Sequence, residues 1–109
     1  MKITNDFLTG FEVLFYWFDQ EENFYIFNED KTGLKENSEN NFVEFRWKIN
    51  EKGILAIIYD NNDTCTYWKF ESELEDDSFN VQEFIKSKSD KKPLKSKILL
   101  MKRRSKQNM

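Results

Sequence analysis

Phe42-Val43-Glu44-Phe45-Arg46-Trp47-Lys48-Ile49-Asn50 is the stretch on which the fold turns. Apolar Val43, Phe45, Trp47 and Ile49 alternate with Glu44, Arg46 and Lys48, a period of two that gathers the apolar set on one face of a strand. A helix would spread the same side chains around its circumference. Asn50-Glu51-Lys52-Gly53 follows, and Gly53 can supply the positive φ that a tight hairpin requires. Residues 54–59 then form an almost unbroken apolar, β-branched run, the pattern of a strand covered on both faces. Asp60-Asn61-Asn62-Asp63 marks a second turn, and from Thr64 to Glu71 the set Thr66, Trp68 and Phe70 opposes Cys65, Tyr67 and Lys69. An acidic turn over 73–77 leads into residues 78–85, where Phe79, Val81 and Ile85 continue the alternation.

Outward from this meander, residues 24–28 and 34–37 flank Glu29-Asp30-Lys31-Thr32-Gly33, a further hairpin signal. Pro93 closes a basic loop over 86–97, and Ile98, Leu99, Leu100 and Met101 mark a last strand leading into a basic tail over 98–109. The N-terminal stretch over 5–18 reads two ways. Phe7, Phe11, Leu14, Phe15 and Phe18 fit helical spacing, yet 11–18 is rich in strand formers. The preferred reading is a short helical turn over 5–9, then a strand. The fold class is therefore all-β: one antiparallel meander of about eight strands closing into a small barrel, with Phe45, Trp47, Ile49, Trp68, Phe70, Phe79 and Val81 inside. The 109 residues suit a single domain over 1–109.

Several kinds of chemistry are excluded by composition. Histidine, the commonest general base and metal ligand, does not occur, and Cys65 is the single cysteine. A nucleophilic Cys65 would have no histidine base, so a buried structural thiol is expected. Glu71 and Glu73 are the nearest pair of carboxylates for acid–base work and read as exposed turn acids. Asp60-Asn61-Asn62-Asp63 lacks the glycine and terminal glutamate of a calcium loop and reads as a turn. Trp47 and Trp68 read as core. No enzyme activity, metal or cofactor is expected. The first residues contain no apolar run of signal-peptide length and no stretch is long enough to span a bilayer, which together with the lone thiol predicts a cytoplasmic protein with no membrane partner.

Charge is unevenly distributed. Residues 1–85 carry 7 of the 17 Lys/Arg and 19 of the 20 Asp/Glu, a net of −12, whereas 86–109 hold the other 10 cations and Asp90 alone, a net of +9. Within the acidic body, Glu71, Glu73, Glu75, Asp76 and Asp77 place five carboxylates in seven residues. Their mutual repulsion would be relieved by a basic partner, with Tyr67 or Tyr59 as buried aromatic anchors. At the basic end, Lys86, Lys88, Lys91, Lys92, Lys95 and Lys97 could meet phosphates, but no aromatic residue interleaves them, so nucleic-acid binding is the second alternative.

The run Phe24-Tyr25-Ile26-Phe27-Asn28-Glu29-Asp30-Lys31-Thr32-Gly33, then Phe45-Arg46-Trp47-Lys48-Ile49, then 54–59 and 67–70, resembles the bacterial lipocalin-like domain of calycin type. In that family a phenylalanine, asparagine, acidic, threonine-glycine hairpin precedes a tryptophan-centred strand. The resemblance covers residues 24–85 and implies a small barrel able to carry an apolar ligand. The lipocalin glycine-x-tryptophan signature is absent, its nearest counterpart being Gly10-Phe11-Glu12. In size, charge and fold type the chain also resembles the immunity proteins of bacterial contact-dependent inhibition systems, which neutralise a toxin by stoichiometric binding. That resemblance implies a monomeric inhibitor of a basic protein toxin such as an RNase. A lipocalin-like carrier is the first alternative.

Overall fold

The computed structural model describes residues 1–37, 39–60, 62–87 and 93–105, with the backbone alone for Pro93 and Leu94. Helix α1 (Asn5–Thr9) precedes eight strands: β1 (Phe15–Phe18), β2 (Phe24–Phe27), β3 (Thr32–Glu36), β4 (Phe42–Ile49), β5 (Leu55–Ile58), β6 (Thr64–Glu73), β7 (Ser78–Ser87) and β8 (Pro93–Ser105). Each strand pairs antiparallel with the next, and β8 returns to β1 with Phe15 opposite Ser105 and Phe18 opposite Lys102. The result is a closed eight-stranded meander, as the alternation predicts, and closure leaves no strand edge to protect.

The two-residue period of β4 holds from Glu44 to Lys48, whereas Val43, expected with the apolar set, is exposed near the start of the strand. Phe45 and Trp47 are buried, while Glu44, Arg46 and Lys48 face solvent. The Trp47 indole N–H donates to the carbonyls of Thr32 and Asn28 at 2.9 and 3.2 Å, tying β4 to the β2–β3 hairpin. Leu55, Ala56 and Ile57 are all buried, in keeping with a strand covered on both sides. Trp68, Phe70, Phe79 and Val81 are inside as expected, and Ile49 packs against them half-buried. Trp17, Tyr25, Phe27, Leu99 and Met101 complete the lining from strands whose register the local pattern left open. The Cys65 thiol is buried and donates to the Ile57 carbonyl at 3.5 Å.

Three further details depart from what the sequence predicts. In the β2–β3 hairpin the positive φ belongs to Lys31 (71°), and Gly33 lies within β3. Gly33 sits there because a Cβ at this position would overlap the Phe45 ring and the Ile26 carbonyl. Gly53, by contrast, does occupy its turn with φ 78°. The expected basic loop is shorter than 86–97, because Lys86 belongs to β7 while Lys95 and Lys97 belong to β8. Lys88, Lys91, Lys92 and the tail beyond Ser105 lie outside the described residues. β6 also runs two residues beyond Glu71, taking Glu73 into the strand, with a bulge between Phe70 and Ser72.

The two ends of the barrel differ. At one end lie the β2–β3, β4–β5 and β6–β7 turns and α1, which plugs the opening with buried Leu8 and with Phe7. The Phe7 ring centroid lies 5.3 Å from that of Phe70 and 5.2 Å from that of Phe79, both edge to face. At the other end the β1–β2 turn and the ends of β2, β3 and β5 to β8 surround an open mouth. No helix among the described residues is long and apolar enough to cross a membrane.

Candidate functional site

The acidic cluster sits at the plugged end, on the β6–β7 hairpin. Leu74 N–H donates to the Ser78 carbonyl at 2.7 Å, and Asp76 and Asp77 close the turn with φ of 57° and 55°. Consecutive left-handed residues suit the twist of a hairpin, and aspartate tolerates that region better than most side chains. Two of the five carboxylates therefore have a local structural reason to be there. Asp77 has a second one: its Oδ1 accepts from Arg103 Nη2 at 2.9 Å, and its carbonyl accepts from Arg103 N–H at 3.1 Å. The Arg103 guanidinium lies 4.5 Å from the Phe11 ring centre and 5.3 Å from that of Trp17, so Asp77 holds a cation that roofs the aromatic core. Glu71 is 3.8 Å from Lys69 Nζ across an exposed pair. Glu73, Glu75 and Asp76 make no ion pair among the described residues and face solvent.

The structure thus gathers Glu71, Glu73, Glu75, Asp76 and Asp77 on one hairpin but separates the two tyrosines from it. Tyr67 lies on the outer face in the middle of β6, with Lys86 Nζ 5.2 Å from its ring centre. A hydrogen bond with Cys65, followed by burial, pushes its phenol above the ordinary value. Tyr59 follows β5 at the open mouth, the opposite end of the barrel. The apolar surface beside the acids is supplied instead by exposed Leu74 and by Leu100, which share a shallow groove with Glu73 and Glu75. Leu74 was legible as an apolar residue stranded among acids. Leu100 was not, because its position depends on β8 pairing with β7.

The mouth is a cavity of about 290 Å³ whose walls come from the β1–β2 turn and from β2, β3 and β5 to β8. Its floor carries Glu83, only 8% exposed, which sequence alternation places inside after Phe79 and Val81. Trp68 Nε1 donates to Glu83 Oε2 at 2.8 Å and fixes the carboxylate. Apolar alternation alone does not single out Glu83; the signal is an acid in phase with the buried face of β7. Asp19, 5% exposed, directly follows β1 and is committed to its own turn. Its carboxylate accepts from the Glu21 and Asn23 backbone N–H groups at 2.9 and 3.1 Å and from the Asn23 side chain. Lys35 projects from β3 in phase with Gly33, its Nζ 5.6 Å from the Tyr25 ring centre and 6.0 Å from that of Tyr59. Lys97 at the rim is paired with Glu21 at 3.3 Å.

Burial raises both phenols in this mouth. For Tyr25, burial comes first, then Tyr59, Asp19 and Glu83; for Tyr59, burial is followed by Glu83 and Asp19. Both therefore remain neutral at physiological pH. The described residues contain no group of histidine, cysteine or acidic side chains arranged to hold a metal ion. The mouth presents hydrogen-bonding groups together with the charged side chains of Lys35, Lys97, Glu83 and Asp19. No family model, curated protein or solved structure matches this chain.

Proposed function

We propose that this chain is a non-enzymatic binding protein, most specifically an immunity-type inhibitor that neutralises a basic toxin such as an RNase by stoichiometric association in the cytoplasm. The observation that carries this reading is the β6–β7 hairpin, where Glu73, Glu75 and Asp76 stand exposed and unpaired among the described residues beside Leu74 and Leu100. Acids at a hairpin tip with an adjacent apolar groove combine long-range steering with a desolvated contact. An RNase needs cationic groups for its polyanionic substrate, and such groups are the complement of this tip. The carrier alternative loses its main support inside the barrel, where Trp17, Trp68, Phe70 and Phe79 leave the centre filled. For nucleic-acid binding, Lys97 is already paired and Arg103 lies against the core.

The test is association with the product of the adjacent gene, measured against ionic strength. Glu73→Ala, Glu75→Ala and Asp76→Asn together, the last keeping a side chain that tolerates the left-handed turn, should slow association about tenfold at low salt and flatten its salt dependence. Asp77 is kept in this variant because it holds Arg103. The charge-complementarity reading is overturned by a triple variant that associates at the parent rate.

A further inference from the structure

The mouth contains two charges of opposite sign that nothing in the described chain neutralises. Glu83 accepts one hydrogen bond, on Oε2 from Trp68, and has no ion pair among the described residues. Lys35 likewise has no carboxylate within ion-pair distance among the described residues. The other charged groups of the cavity are satisfied, Asp19 by its turn and Lys97 by Glu21. A carboxylate more than nine-tenths buried with spare acceptor capacity carries a desolvation cost that a donor would offset.

Glu83 rises from β7 and Lys35 from β3, with the rings of Tyr25 and Tyr59 beside Lys35 and both phenols within the field of Glu83. A ligand with a single positive charge would satisfy Glu83 and be repelled by Lys35; a single negative charge would meet the reverse. We infer that the mouth of the barrel binds a small zwitterion, its ammonium on Glu83 and its carboxylate on Lys35, with the rings of Tyr25 and Tyr59 as walls. The volume of about 290 Å³ lies at the lower limit of small-molecule pockets, which suits an amino-acid-sized ligand and not a lipid. This inference does not rest on the toxin reading, since the acidic hairpin lies at the other end of the barrel.

The Trp68 indole N–H resonance reports directly on Glu83. Linear ω-amino acids from glycine to 6-aminohexanoate should be titrated into the ¹⁵N-labelled protein, with hexylamine and hexanoate as singly charged controls. At least one chain length should shift the Trp68 indole peak saturably, and leave that of Trp17 at the plugged end in place. Glu83→Gln and Lys35→Met should each weaken that binding about tenfold or more, the loss of one charged contact. Lys35→Met, at a half-buried position, keeps the question open to refutation if Glu83→Gln fails to fold. The inference is overturned if no ω-amino acid shifts the peak at about 10 mM. It is equally overturned if hexylamine or hexanoate binds as tightly as the best zwitterion, or if Lys35→Met leaves that zwitterion's affinity unchanged.

Discussion

The two ends of this barrel are built from the same alternating strands and solve opposite problems. At the plugged end, α1 places Phe7 and Leu8 over Trp17, Phe70 and Phe79, and the Arg103–Asp77 pair covers the aromatic stack from outside. At the mouth, the same inward phase delivers Lys35, Tyr25, Tyr59, Thr66 and Glu83 around an open space. The plugged end concentrates packing, while the mouth tolerates groups that packing alone would not select. Such division is what a stability–activity trade-off produces in a small domain: one region stabilises the fold and another keeps a less favourable arrangement.

The contrast should be largest for core truncation at the plugged end. Phe79→Ala removes a ring that contacts Phe7, Trp17 and Phe70, and should cost about 3–5 kcal/mol in urea unfolding. A loss below about 1 kcal/mol would mean that the aromatic stack collapses around the cavity and is not the main support of the fold.

A smaller effect should come from the mouth at alkaline pH. Tyr25 and Tyr59 have folded-state phenols raised chiefly by burial, so the folded chain keeps protons that the unfolded chain releases. Their contribution is fully present below the ordinary phenol value of about 10 and is lost as pH rises towards the raised folded values. Stability should fall by about 1 kcal/mol per tyrosine one pH unit above 10. Urea midpoints at rising pH would register this, and the Tyr25→Phe, Tyr59→Phe double variant should flatten the slope. An unchanged slope in that variant would place the alkaline sensitivity elsewhere.

The smallest effect, and one of opposite sign, is expected for Glu83→Gln. The amide oxygen can still accept from Trp68 while the buried charge disappears, so stability should stay level or rise by up to about 1 kcal/mol. Thermal unfolding beside the parent decides the point. A loss of several kcal/mol would make Glu83 a structural group, and the distinction between the two ends would narrow to packing alone.

Much of this architecture was legible without coordinates, because strand alternation and turn chemistry are local. Val43 to Ile49 announces β4, Gly53 announces its hairpin, and the helical turn over 5–9 coincides with α1. The candidate site was less legible. Five acids on one hairpin could be read from adjacency, but the roles of Asp76 and Asp77 in the turn, and of Asp77 in holding Arg103, required the hairpin to be folded against β8. Gly33 looked like a turn residue, since nothing nearby in sequence states that the Phe45 ring will lie across it.

Sequence by itself determined the period, the turns, the closed meander those imply, and the absence of histidine-based chemistry. Tertiary structure alone decided which inward side chains face a plug and which face a cavity. Phase along a strand fixes the face a residue occupies, but not what fills the space opposite it. That is why Phe79 and Glu83, four residues apart on one face of β7, end respectively in a sealed aromatic core and on the floor of an open mouth.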